Sequence, residues 1–278
     1  MVQANGSRLA LSKHEGAGND FLVVVAPDGR APLDDAQVRI LCDRHRGIGA
    51  DGVITVGPGS GGADLSMVLR NADGREAEMS GNGMRCLAQA AVLAGLVTPP
   101  RFTVATAAGV KTVDYELGST GTDRASVDMG EVTLGADQPQ QFGDRRARQV
   151  DVGNPHLVLF GPDPAEVDVA VIGPRLEAVH PDGINVEFIA LGPEPDELVL
   201  RVWERGVGET LACGTGSCAA AAAARSWGLV GDIVRVHNPG GPLDVTLGRK
   251  DGDPVALAGP VRKVADVVVD LALLVVTP

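Results

Sequence analysis

The chain of 278 residues is 44% hydrophobic, enough for one large domain or two of ordinary size, and its 3% aromatic content leaves the packing to Val, Leu, Ile and Ala. A formal charge of −12 sets it against phosphate backbones and anionic membranes, so neither nucleic acid nor a membrane is an expected partner. The nearest approach to a membrane span, Val264–Val276, is short and carries Asp266 and Asp270, and MVQANGSRLALSK lacks a charged-then-apolar leader, so a soluble cytoplasmic protein is expected.

In chain order, Phe21–Val25 reads as a strand, followed by a helix over Asp34–Arg44 with apolar Ala36, Val38, Ile40 and Leu41. Val53–Val56 and Leu65–Leu69 are β-branched strands, and a helix runs from about Asn82 to Leu93, ending at Gly95. Phe102–Ala105 and Val110–Tyr115 complete the first set of strands. The second half gives strands at Leu157–Phe160, Val186–Ala190, Leu198–Val202, Ile233–His237 and Leu243–Leu247. Its helix runs from about Thr215 to Trp227 and ends at Gly228; the slim alanine run Ala219–Ala224 suits tight packing inside a sheet. Arg145, Arg146 and Arg148 read as a solvated turn, and His14, His45, His180 and His237 as surface or structural residues.

Cys42, Cys86, Cys213 and Cys218 form no C-x-x-C pair, which argues against zinc and against a disulfide framework. Gly47-Ile48-Gly49-Ala50-Asp51-Gly52 has G-x-G-x-x-G spacing, but a helix precedes it and a strand follows, the reverse of a dinucleotide site.

Three short segments recur. Gly18-Asn19-Asp20 is echoed by Gly153-Asn154-Pro155 (153 − 18 = 135), Asp51-Gly52-Val53 by Asp182-Gly183-Ile184 (182 − 51 = 131), and Ser80-Gly81-Asn82-Gly83 by Cys213-Gly214-Thr215-Gly216 (213 − 80 = 133). One order at nearly one spacing implies two similar halves. The expected architecture is α+β, two pseudo-symmetric halves, each a curled and mostly antiparallel sheet around a central helix. The halves are placed at residues 1–127, completed by a C-terminal strand over 260–278, and at 128–259.

Each echoed Ser/Cys loop puts a hydroxyl or thiol at a helix start, where free backbone N–H groups and the helix dipole can hold a carboxylate. The same field favours a thiolate, making Cys213 a candidate base. Inverting an amino acid's α-carbon needs two acid/base groups serving opposite faces of that carbon, and a duplicated fold supplies such a pair. From spacing alone, two Gly-rich helix starts with no chemistry read almost as well.

Six motifs make the reading specific. Gly18-Asn19-Asp20-Phe21, Arg70-Asn71-Ala72-Asp73-Gly74, Ser80-Gly81-Asn82-Gly83-Met84-Arg85-Cys86, Gly153-Asn154-Pro155-His156, Glu204-Arg205-Gly206-Val207-Gly208-Glu209-Thr210 and Ala212-Cys213-Gly214-Thr215-Gly216 together resemble the motif series of the diaminopimelate epimerases. The resemblance implies cofactor-free interconversion of LL- and meso-diaminopimelate, with no pyridoxal phosphate or metal, in a cytoplasmic homodimer acting on a small molecule. It implies Cys213 as one acid/base. Asn19, Asn71, Asn154 and Asn185 would bind the substrate's polar ends, Arg205 its distal carboxylate and Glu204 an ammonium. Backbone N–H groups at Gly81-Asn82 and Gly214-Thr215 would meet the α-carboxylate, with His156 and Glu209 in support.

Two positions depart from that pattern. Gly52 stands where many members carry a substrate-binding glutamine, and Ser80 stands in place of the first catalytic cysteine. Cys86 cannot substitute, because six residues along a helix turn it about 240° away. Ser80 is open to three accounts: an engineered replacement, a natural serine that still works, or altered chemistry of the kind a hydroxyl residue accompanies in the related proline-racemase family. Epimerisation or dehydration of another amino acid such as hydroxyproline, or silent amino-acid binding, remain alternatives.

Overall fold

The computed structural model describes residues 8–30, 33–77, 79–118, 122–138, 145–249 and 253–274. The chain divides into two compact units, Met1–Val127 with Pro260–Pro278, and Asp128–Gly259.

The first unit is built from β1 (Arg8–Gly16), β2 (Asn19–Val25), α1 (Asp35–Cys42), β3 (Gly52–Pro58), β4 (Leu65–Asn71), β5 (Glu76–Ala77), α2 (Gly81–Leu93), β6 (Arg101–Thr106), β7 (Gly109–Glu116) and β8 (Thr122–Gly130). β1 pairs antiparallel with β2, and β2 runs parallel to β3 across the α1 crossover. β4 then pairs antiparallel with β3 and β5 and parallel with β6, and β7 pairs antiparallel with β6 and β8. Strands alternate buried and half-exposed residues where one face is wet, as in β8, whereas β3 is buried along most of its length. Every residue of α2 from Gly81 to Ala91 is buried, so the helix has no wet face and the sheet wraps it.

The second unit repeats the scheme. It contains β9 (Thr133–Asp137), β10 (Arg146–Asp151), β11 (Pro155–Phe160), α3 (Val169–Ala178), β12 (Asn185–Leu191), β13 (Glu197–Glu204), β14 (Gly208–Thr210), α4 (Gly214–Ser226), β15 (Ile233–Asn238), β16 (Gly241–Thr246) and the start of β17 (Val255–Asp270). β10–β11 is antiparallel, β11–β12 parallel across α3, β12–β13 and β13–β14 antiparallel, β13–β15 parallel and β15–β16 antiparallel. Strand for strand this is the order of the first unit. Helix α4 touches β10, β11, β12, β13, β15 and β16, and its Ala219–Ala224 stretch is buried throughout. Methyl side chains let six strands close on one helix.

The predicted strands and the three predicted helices form where their patterns place them, and both central helices end at a glycine with positive φ, Gly95 and Gly228. Four differences have physical causes. Arg146 and Arg148 lie on β10, not in a turn; Arg148 pairs with Asp137 at 3.1 Å, and the Arg146 guanidinium sits over the Trp227 ring. The C-terminal strand ends at Asp270 and gives way to a 3₁₀ turn, with Asp270 capping Ala272, while residues 275–278 lie outside the described ones. Helix α3 escapes the pattern reading because Gly173 and Pro174 interrupt it. Register also separates true echoes from chance. Phe21 stands opposite Gly52 and His156 opposite Asn185, so Gly52 corresponds to Asn185; the Asp182-Gly183 echo is two residues out of step.

Candidate active site

Each unit builds a small cluster at the start of its central helix. In the first, the tight turn before β2 depends on Gly18, whose φ of 80° suits glycine, and the counterpart Gly153 has φ of 86°. Ser80 is the N-cap of α2, its Oγ accepting from the Gly83 N–H at 3.1 Å. Asn82 is buried and its Nδ2 donates to Asn19 Oδ1 at 3.3 Å. Asn19 in turn donates to Asp51 Oδ2 at 2.5 Å, and that oxygen also accepts from the Asp20 N–H. Arg85, fully buried, donates to Asn82 Oδ1, the Gly81 carbonyl and the Pro260 carbonyl. The loop is thus held from below by a guanidinium that sequence reasoning did not single out; its signal was the one charge in a buried helix.

Asn71 ends β4 directly opposite Gly52. A Cβ at Gly52 would lie 2.5 Å from the Arg70 carbonyl oxygen and 3.2 Å from the Phe21 ring. The packing therefore leaves no room for a side chain at Gly52.

In the second unit, Cys213 is the N-cap of α4 and is 5% exposed. Its Sγ accepts from the Gly216 N–H at 3.4 Å and lies 3.5 Å from Thr215 Oγ1. Asn154 Nδ2 donates to Thr215 Oγ1 at 3.4 Å, and Asn154 Oδ1 lies 3.0 Å from His156 Nε2. His156 Nδ1 meets Glu187 Oε1 at 2.6 Å, both side chains fully buried. Glu204 is hydrogen-bonded to Thr210 and to Cys213. Burial pushes the Cys213 thiol well above its ordinary value, with the negative charges of Glu204 and Glu187 adding to it, while the Thr215 and Gly216 hydrogen bonds pull it down. Burial likewise raises the Glu204 carboxyl. The sulfur thus has the Glu204 carboxyl beside it, both groups shifted toward their protonated forms.

The remaining expected residues divide. Asn185 is buried, accepting from the Arg205 backbone N–H at 2.9 Å and donating to the Pro155 carbonyl at 3.1 Å, so it ties two loops of the cluster together. Arg205 is exposed, with Nη1 donating to the Asp182 carbonyl. Glu209 pairs with Arg201 at 2.7 Å and lies in a brace between β13 and β14, apart from these hydrogen bonds around the sulfur. Glu187 was not foreseen, although it is the one charge in the run Ile184–Ala190.

The two clusters correspond residue by residue. A Cβ on Gly83 would meet Ile54 and Ser80, and one on Gly216 would meet Glu187 and Cys213, so Ile54 stands where Glu187 does and Phe21 where His156 does. By the same register, Asn71 corresponds to Glu204.

The family model described as diaminopimelate epimerase matches residues 11–135 and 148–264. The chain belongs to the diaminopimelate epimerase family. Among curated relatives it is 40% identical to the diaminopimelate epimerase of a Cyanothece species, over 92% of this chain and 98% of that one. It is 37% identical to the Methanothermobacter thermautotrophicus protein of the same name, over 86% and 90%. Solved structures share the fold at lower identity. A Bacillus anthracis phenazine biosynthesis protein of the PhzF family superposes with a TM-score of 0.74 at 16% identity, covering 94% of this chain and 99% of that chain. A hydroxyproline epimerase from Agrobacterium vitis gives 0.73 at 17%, covering 97% and 94%.

Proposed function

We propose that this chain interconverts LL- and meso-diaminopimelate by removing and returning the α-proton, with no pyridoxal phosphate or metal. The observation that carries the reading is Cys213, set at the start of α4 with backbone and hydroxyl donors on its sulfur and Glu204 beside it. Glu204 accepts the thiol proton; the thiolate then takes the α-proton as S–H. The charge left behind spreads into the α-carboxylate, where N–H groups at Gly81-Asn82 and Gly214-Thr215 are the proposed donors. An ammonium on the substrate adds the positive charge that the buried thiol lacks, which favours ionisation on binding.

Delivery to the other face falls to Ser80. An alcohol is a poor acid and base near neutral pH, so the serine works slowly and limits the rate. Asn19, Asn71 and Asn154 are assigned to the substrate's polar ends and Arg205, whose guanidinium is exposed, to the distal carboxylate. Asn185 and His156 support the loops from within. We further infer a cytoplasmic homodimer, as the motif series implies.

Proton NMR of LL-diaminopimelate incubated with the protein in D₂O tests this. Deuterium uptake at the α-carbon together with the meso isomer is the expected result. If neither appears with this chain or with Ser80→Cys, the substrate assignment fails, and trans-4-hydroxyproline is the next compound to try.

A further inference from the structure

The hydrogen bonds beneath Cys213 have a direction. An amide nitrogen only donates, so Thr215 Oγ1 accepts from Asn154 Nδ2 and keeps its own proton for Cys213 Sγ, 3.5 Å away. Asn154 Oδ1 only accepts, so the His156 Nε2 that lies 3.0 Å from it carries a proton. On the far side of the ring Glu187 Oε1 lies 2.6 Å from Nδ1, with a proton between them. Each ring nitrogen therefore has a proton in its hydrogen bond, so the His156–Glu187 pair holds two. Among the described residues, Glu187 Oε2 is buried and has no hydrogen-bond partner. An unpaired buried carboxylate is costly, and among the described residues the ring at 2.6 Å is its one ion-pair contact, which keeps the second proton between the two groups.

We propose that Glu187 is a positioning residue for Cys213: it occupies His156 Nδ1 so that Nε2 keeps its proton for Asn154, and through Asn154 and Thr215 this aims a hydroxyl proton at the sulfur. The inference rests on the epimerase reading for its purpose, though not for its bonds. Were the pair to hold one proton, that proton would sit on Nδ1. The bare Nε2 would then turn the Asn154 amide over, and Thr215 would give its proton to Asn154 instead of the sulfur. The groups facing Cys213 are Glu204 from β13 and, from β12 and β11, Glu187 and His156; the first two disfavour a thiolate, so the donors from Thr215 and Gly216 are what oppose them. The first unit has Phe21 and Ile54 at the corresponding places, so the device exists only in the half whose central helix is capped by a thiol.

Two measurements on the ligand-free protein test it. Imidazole nitrogen shifts of histidine-labelled protein, with His156 assigned by substitution, should show Nε2 protonated in the parent protein, and Glu187→Gln should show a mixture of tautomers. Alkylation of Cys213 by iodoacetamide, followed by peptide mass spectrometry with buried Cys42, Cys86 and Cys218 as internal references, reads the other end. Thr215→Val should slow it about tenfold, equivalent to about one unit of thiol acidity, and Thr215→Ser should restore it. Glu187→Gln should slow it by less, since a neutral ring still has one N–H that can face Asn154. A His156 with a bare Nε2 in the parent protein, an unchanged rate in Thr215→Val, or a Cys213 inert at every pH each overturns the proposal. Deuteration of LL-diaminopimelate is scored separately: an intact relay without deuteration removes the substrate reading and leaves this one standing.

Discussion

The Ser80 loop and the Cys213 loop are one backbone used twice, with different chemistry beneath. Both begin a buried central helix, both N-caps accept from the N–H three residues on, and both are followed by glycines. Beneath Cys213 stand Glu187, His156 and Glu204; beneath Ser80 stand Ile54, Phe21 and Asn71. A duplicated scaffold fixes where a helix start points its N–H groups. Which side chains lie beneath each helix start is set by three strand positions that the duplication leaves free.

The comparison is broken most severely by Cys213→Ala, which removes the one thiol at a helix start. Deuterium uptake into LL-diaminopimelate should fall by on the order of 10³-fold, in the range of a lost acid/base group, with the circular dichroism spectrum unchanged. Exchange that persists near the parent rate would move the chemistry elsewhere. The converse change, Ser80→Cys, should raise the rate by roughly 10². It gains less than Cys213→Ala loses, because nothing under that loop corresponds to Glu204 or to the His156–Glu187 pair. A full gain matching the first loss would mean those buried groups contribute little.

Much of this asymmetry was readable in advance, and part was not. The helix starts, their caps and the strands around them follow from Gly-x-Gly spacing and runs of β-branched residues, which are local signals. The short recurrences pointed to the repeat, yet only strand register shows that Gly52 answers to Asn185 and not to Gly183. Arg85 and Glu187 were passed over because each is a single charge within an apolar element; only tertiary packing reveals that Arg85 holds the Gly81 carbonyl or that Glu187 holds His156. β10 was missed because its alternating arginines look like a solvated run until Asp137 and Trp227 are placed against them.

A matched pair of glycine substitutions sharpens the contrast as stability. In Gly83→Ala the new methyl meets Ile54 Cδ1 at 3.2 Å, the free end of an aliphatic chain that can turn aside. The gain of about 1 kcal/mol in helix propensity should offset the crowding and leave the variant near the parent. In Gly216→Ala the methyl meets Glu187 Oε1 at 2.8 Å, and that oxygen is held by a buried ion pair. It cannot turn aside without releasing His156, so a loss of about 2 kcal/mol in urea unfolding is expected, within the usual cost of overpacking. Equal losses in the two variants would mean that Glu187 is as free to move as Ile54.

The smallest effect is a difference of sign with pH. Burial raises the Glu204 carboxyl, and Glu187 adds to it, against the Thr210 and Cys213 hydrogen bonds. A carboxyl raised on folding favours the folded state when protonated. That contribution is complete below its unfolded value of about 4.3 and lost as pH rises through the folded value. At neutral pH the ionised group is a liability, so Glu204→Gln should be the more stable protein there, and the gap should close in acid. Asp20 in the first unit is the opposite case. Burial pushes its carboxyl up, but hydrogen bonds from Arg44 and Lys13 more than offset this and hold it below the usual range. Its contribution is present above the unfolded value of about 3.9 and fades as pH falls through the folded one. Asp20→Asn should therefore be less stable than the parent at neutral pH, with that gap also closing in acid. Urea unfolding at neutral and acid pH reads both. If the two variants shift stability in the same direction at neutral pH, the contrast between a carboxylate kept ready to accept a proton and one locked in an ion pair does not hold.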